Sequence, residues 1–205
     1  MAELVVFSSN GDWIRSGGAA VSYADARAGI ALLAGVSNGS DPVVGQKKFS
    51  NIFQCYEGFC DFDTSSLGAE AIISAAILSL YLAADTSTTD FTITAAIKAW
   101  GATLTTADWV AGADLAALTT VATLTTAGLN VSAYNNMVDV AFPANINKTT
   151  NTRIIIYSSR HSGNNEPTGN EFIVVEGYSL TNPPKLTITY TAGSAGGSQS
   201  HQMVL

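Results

Sequence analysis

Apolar and polar residues alternate with a period of two along much of the chain, the signature of strands with one face buried. Phe91, Ile93, Ala95 and Ile97 fall on one side, and Thr92, Thr94, Ala96 and Lys98 on the other. Leu186, Ile188 and Tyr190 alternate with Lys185, Thr187, Thr189 and Thr191; Val138, Val140 and Phe142 alternate with Met137, Asp139 and Ala141. In each pair the first set is expected toward a core and the second toward water. Three further runs, Ile72 to Leu82, Arg153 to Tyr157 and Phe172 to Val175, read as strands buried on both faces or at a second interface. The first could be helical in isolation, but turn chemistry brackets it, with Asp63-Thr64-Ser65-Ser66-Leu67-Gly68 before and Asp85-Thr86-Ser87-Thr88-Thr89-Asp90 after.

Loops are expected where Gly, Asn, Ser and Pro cluster: Gly17-Gly18, Ser37 to Pro42, Ser162 to Asn170 and Thr181 to Pro184. Strands punctuated in this way predict an all-β antiparallel sandwich with long loops. The stretch from Gly101 to Asn136 has poor periodicity and reads as long loop with one or two short elements, and Ala24 to Ala34 could form a short helix. Thr103-Leu104-Thr105-Thr106-Ala107 recurs as Thr123-Leu124-Thr125-Thr126-Ala127; two copies are too few for a solenoid and read as compositional bias. Residues 1–191 are thus expected to form one domain, followed at 192–205 by a Gly/Ser-rich, flexible C-terminal tail.

Composition narrows the function. Of 205 residues, 47% are hydrophobic, which excludes wholesale disorder, and only 12% are charged. Sixteen acids against nine bases give a net charge of −7, with no basic stripe to neutralise phosphates, so no nucleic-acid partner is expected. The N-terminus lacks the basic and apolar regions of a signal peptide, and no membrane span is expected, because the most apolar run, Ala71 to Ala84, is too short to cross a bilayer core of roughly 30 Å. Cys55 and Cys60 are the only cysteines. On one strand their odd spacing points them to opposite faces, roughly 16 Å apart at about 3.3 Å per residue. That favours two free, buried thiols over a bridge, which would need a sharp turn at Gly58.

Candidate chemistry is sparse. His161, in the polar loop Arg160-His161-Ser162-Gly163-Asn164, reads as a solvated loop histidine, and neighbouring Ser158 and Ser159 carry no nucleophile elbow. Asp61 and Asp63 share one face of a strand and could act as an acid–base pair or ligate a structural calcium; ahead of Thr64-Ser65-Ser66 they read more simply as acceptors for turn amides. No zinc set is expected from two cysteines without a nearby histidine. Trp13, Trp100 and Trp109 could form a sugar-stacking platform; Trp100 and Trp109 read as core, and Trp13 is equally compatible with either role. Trp13, Asp61, Asp63 and His161 are therefore the candidate ligand-binding residues, and the tail end Gln202-Met203-Val204-Leu205 is a candidate docking arm.

One family resemblance organises these segments. Phe59-Cys60-Asp61-Phe62-Asp63-Thr64-Ser65-Ser66-Leu67 resembles the Phe-Asp-hydrophobic-Ser-Ser-Leu turn of the DNRLRE-type domain, and Ala69 to Leu82 resembles the strand that follows it. Trp13-Ile14-Arg15-Ser16-Gly17 is similar to that family's opening Tyr-Ile-Arg-x-Gly, and Pro184-Lys185-Leu186-Thr187-Ile188-Thr189-Tyr190 to its closing strand. Trp100 and Trp109 sit where the family has paired tryptophans, and Ser158-Ser159-Arg160-His161 resembles its Ser-Arg-acid turn, with His161 departing from the acid. The resemblance implies a jelly roll similar to carbohydrate-binding modules and fixes no active site. Such modules occur in secreted surface proteins and tailed-phage virions. With no export signal and no catalytic motif, the expectation is a non-enzymatic virion structural protein, a capsid decoration or tail appendage on the particle exterior. It would bind other virion proteins, form homo-oligomers and need no cofactor. The alternative expectation is a carbohydrate-binding module for cell-surface glycans, and a hydrolase ranks last.

Overall fold

The computed structural model describes residues 1–35 and 41–193. Twelve strands among them form a wholly antiparallel arrangement: β1 (Ala2–Phe7), β2 (Trp13–Gly18), β3 (Leu33–Gly35), β4 (Val43–Phe49), β5 (Ile52–Asp63), β6 (Ile72–Asp85), β7 (Thr92–Ile97), β8 (Thr120–Thr125), β9 (Tyr134–Val138), β10 (Asn151–Ser158), β11 (Asn170–Val175) and β12 (Lys185–Thr191). Two short helices, α1 (Tyr23–Ala28) and α2 (Ser159–Ser162), interrupt them. None of the described helices is long and apolar enough to cross a membrane.

Hydrogen bonds link β6, β11, β4, β5, β10, β7, β8 and β9 in that order, and β9 pairs back onto β6. The circuit is held by two long strands that change partners along their length. β6 pairs with β12 over Ile72–Ser79 and with β11 over Leu82–Asp85, while β5 pairs with β4 over Ile52–Tyr56 and with β10 over Gly58–Asp63. β12 and β1 extend the sheet from β6, and β2 and β3 extend it from β5. The result is the expected antiparallel β-sandwich. Its interior is filled by Cys60 and Phe62 of β5, Leu78, Leu80 and Leu82 of β6, Ile93 and Ala95 of β7, Ile154 and Ile156 of β10, and Leu186 and Ile188 of β12.

The other face of β5 and β10 is buried too. Phe59, Ile155 and Tyr157 pack with Ile14, Trp100, Leu104, Val110 and Leu115 in a second core, roofed by the irregular segment 98–119. Beside it Cys55 packs with Tyr23 and Ala26 of α1. Both cysteines are free and buried, on opposite faces of one strand, as their spacing predicts. Helix α1 is shorter than the expected segment: Ser22 caps its start by accepting from the Asp25 amide, and Gly29, at φ +98°, ends it in a left-handed turn that packs beneath the Trp109 indole.

Four expectations are corrected. Thr94 and Ala96 of β7, expected toward water, are buried, Ala96 within the second core. Of the runs expected to be buried on both faces or at a second interface, only Arg153 to Tyr157 is covered on both faces. Ile72 is 70% exposed, and β11 buries alternate residues only. The alternation expected from Met137 to Phe142 fails at three positions: Met137 faces the core, whereas Val138 is 58% and Val140 98% exposed. The strand ends at Val138, because the Asp139 carboxylate accepts from the Ala141 amide (2.8 Å) and its carbonyl from the Phe142 amide. That turn returns Phe142 to the core ahead of a 3₁₀ turn at Pro143–Asn145, so the two valines are left outside.

Candidate functional site

The four ligand-binding candidates do not converge. His161 is the clearest correction, since it is fully buried and not a solvated loop residue. The Ser158 hydroxyl caps α2, and Arg27 of α1 ties down the helix by donating from Nε to the His161 carbonyl and from Nη2 to that of Ser162, both at 2.8 Å. The imidazole stacks obliquely on Trp109 with centroids 5.3 Å apart. Gly112 presses against its edge, where a Cβ would stand 2.8 Å from Nε2. Its acidic neighbour is Glu57, a residue that sequence reasoning missed. Its Oε1 lies 3.8 Å from His161 Nδ1, while Oε2 accepts from the Val110 amide at 3.2 Å.

Glu57 Oε1, both His161 ring nitrogens and Trp109 Nε1 are buried without a hydrogen-bond partner. Burial drives the two acid–base groups toward their neutral forms. The Glu57 carboxyl is raised well above its ordinary value, opposed by the Val110 hydrogen bond, and the His161 imidazole is lowered to about 3. The Arg27 carbonyl lies near enough to the ring to oppose that lowering without reaching normal hydrogen-bond geometry. Burial thus biases both members of the pair toward their neutral forms beneath segment 98–119.

Asp61 and Asp63 share a face of β5 but sit in different environments. Asp61 is buried, accepts from Asn151 Nδ2 at 2.7 Å and forms an ion pair with Arg153 at 3.1 Å. Arg153 also donates to the Trp100 carbonyl and lies over the Trp100 ring. Asp63 is exposed and accepts from the Ser65 amide and hydroxyl, which hold its carboxyl below the ordinary value. The turn-amide role is therefore borne out for Asp63, and Asp61 belongs to an ion pair across the sheet. Among the described residues no group of three or more His, Cys, Asp or Glu side chains could hold a metal. Trp13 is half-buried, edge-on to Tyr56 with centroids 5.9 Å apart, and its indole covers Gly35. Trp100 is core, and Trp109 is half-buried against both outer clusters.

Two surface features remain. A mixed polar and apolar groove of about 560 Å³ runs between Ile97–Ala99 and residues 144–153, bringing Lys98, Asn145, Asn147, Asn151 and Arg153 to one side of the molecule. The second is the outer face of the β1–β12–β6–β9 layer. Val5 pairs with Thr187, Thr187 with Ile77 and Ile77 with Val138, so these four outward side chains form one row across four strands. Ala75, Ser79, Asn136 and Thr189 flank the row, and Phe7 and Ile72 stand exposed at its margins. An apolar groove of about 620 Å³ opens where this face meets Val140 and Pro143. The candidate docking arm Gln202, Met203, Val204 and Leu205 lies outside the described residues.

No family model matches the chain, and no curated protein matches it.

Proposed function

We propose that the chain is a non-enzymatic structural protein of a tailed-phage virion, a capsid decoration or tail appendage that docks on the particle exterior through a DNRLRE-type jelly-roll framework. The observation that carries this reading is the outer face of the β1–β12–β6–β9 layer. A sheet face bearing Val5, Ile77 and Val138, with Val140 almost fully exposed beside it, is an apolar patch of the kind that marks a contact with another protein. The Thr- and Ser-rich remainder adds no charge that burial would strand. The partners on this reading are other virion proteins and further copies of the chain. The excess of acids over bases disfavours nucleic acid. No cofactor is invoked, and the two aspartates of β5 serve structure, Asp61 with Arg153 and Asp63 with Ser65. Mass spectrometry of purified particles tests the proposal: the chain is expected at a stoichiometry comparable with known coat or tail subunits, and its absence overturns the reading.

A second reading, a carbohydrate-binding module for surface glycans, is supported by the amide-lined groove of Asn145, Asn147 and Asn151 and by the partial exposure of Trp13. Binding on a glycan array, lost on substitution of Asn147 or Trp13, is the result expected of it.

A further inference from the structure

We infer that the outer face of the β1–β12–β6–β9 layer binds a second copy of this chain, face to face, about a two-fold axis lying along the row Val5–Thr187–Ile77–Val138. The inference rests on the docking reading above and takes the partner at this face to be a neighbouring copy on the particle, so that copies clamp one another there. Its basis is the charge pattern of the face. Among the outward positions of β1, β9, β12 and the Ile72–Tyr81 part of β6, only Glu3 and Lys185 carry charge. Glu3 lies two residues to one side of the row on β1; Lys185 lies two residues to the other side on the adjacent β12, paired with Phe7.

A two-fold axis along the row leaves the row facing itself and carries Glu3 of one copy over Phe7 of the other, one strand (about 4.8 Å) from Lys185. Facing sheets pack about 10 Å apart, a gap that a glutamate and a lysine side chain span together. Both reciprocal contacts form at once, which is the self-complementarity an isologous interface demands. Two chains of net charge −7 repel one another, and this face adds little to that repulsion: beyond the Glu3 and Lys185 pair its one charge is Asp139, at the end of the row between Val138 and Val140. Four strands and five residues give a flat footprint of roughly 300 Å². Ile72 and Val140 extend it at the margins, but it stays below the roughly 800 Å² per partner of a standard interface. The dimer is therefore weak and forms with rising concentration.

The test is sedimentation equilibrium of the full chain, with crosslinking to locate the axis. A reversible monomer–dimer equilibrium is expected, weakened about tenfold by Val138→Asp. Glu3→Lys and Lys185→Glu are each expected to weaken it several-fold, and the double variant to restore it. Thr187→Cys, on the axis, should crosslink to its own counterpart through a short bis-maleimide, since Cys55 and Cys60 are buried and do not compete. A chain that stays monomeric at every soluble concentration overturns the inference, as does a dimer indifferent to these substitutions while all variants keep the parent melting temperature. A dimer of a chain absent from particles removes the virion reading alone; a monomeric chain found on particles removes the dimer alone.

Discussion

At the scale of single residues, Glu57 and His161 matter most to stability because their costs depend on pH in opposite senses. Glu57 has its folded-state pKa raised, so the native state holds a proton that the unfolded chain releases above its ordinary value near 4.5; stability falls as pH rises through that window. His161 is lowered to about 3, so the unfolded chain binds a proton below about 6.5 that the native state refuses; stability falls as pH drops from 6.5 toward 3. Glu57→Gln keeps an acceptor for the Val110 amide and removes the first cost only. Thermal melts are expected to show the variant more stable than the parent at pH 8 and close to it at pH 4. Gains of equal size at both values would mean that Glu57 is not protonated in the fold. Asp61 presents the opposite case. Asp61→Leu leaves the largely buried Arg153 guanidinium without its anion, and a loss of about 3 kcal/mol is expected in urea melts.

At the scale of elements, β5 joins the two cores, and its side chains show what the sequence made legible. The odd spacing of Cys55 and Cys60 is enough to place two thiols on opposite faces of one strand, and the structure finds them so. A thiol reagent should find no reactive cysteine in the native protein and two after denaturation, whereas a disulfide would leave none in either state. Alternation likewise identified the inward faces of β7 and β12, but on β7 it assigned Thr94 and Ala96 to water, where both are buried and Ala96 belongs to the second core. It failed at β9, where the Asp139 turn reverses the chain within the alternating run, and at Ile72, where the strand outruns the layer that would cover it. His161 was misread for a different reason. Its burial is produced by Arg27, Trp109 and Gly112, all distant in sequence, and a polar neighbourhood along the chain says nothing about such partners. Glu57 carried a weak signal, an acid amid Cys55, Tyr56, Phe59 and Cys60, where a charge is out of place unless something covers it. The cover is segment 98–119, which is irregular yet anchored by fully buried Leu115. Leu115→Ala is expected to cost about 3 kcal/mol of stability, as in a sandwich core. A loss below about 1 kcal/mol would show that this segment collapses freely onto the cavity.

At the scale of the molecule, stability and adhesion are assigned to different surfaces, and the proposed function depends on that separation. The closed circuit of strands fills its interior without Val138 or Val140, so both can be changed at small cost to the fold. Surface substitutions away from special features usually shift stability by less than about 0.5 kcal/mol. A Val138→Asp, Val140→Asp double variant should therefore melt within a degree or two of the parent while placing two carboxylates on the adhesive face. Any single contact through so small a face is weak, but a particle presents many copies, and a molecule held at two points rebinds before it is lost, raising its retention by orders of magnitude. The same arithmetic makes occupancy fall steeply when each contact is weakened. Tenfold per contact becomes about a hundredfold when two contacts act together. Particles assembled with the double variant should thus lose nearly all of the protein on washing, whereas Asn147→Ala, in the groove on the other reading's surface, should leave occupancy unchanged. Equal retention of both variants would assign attachment to some surface other than the β1–β12–β6–β9 face.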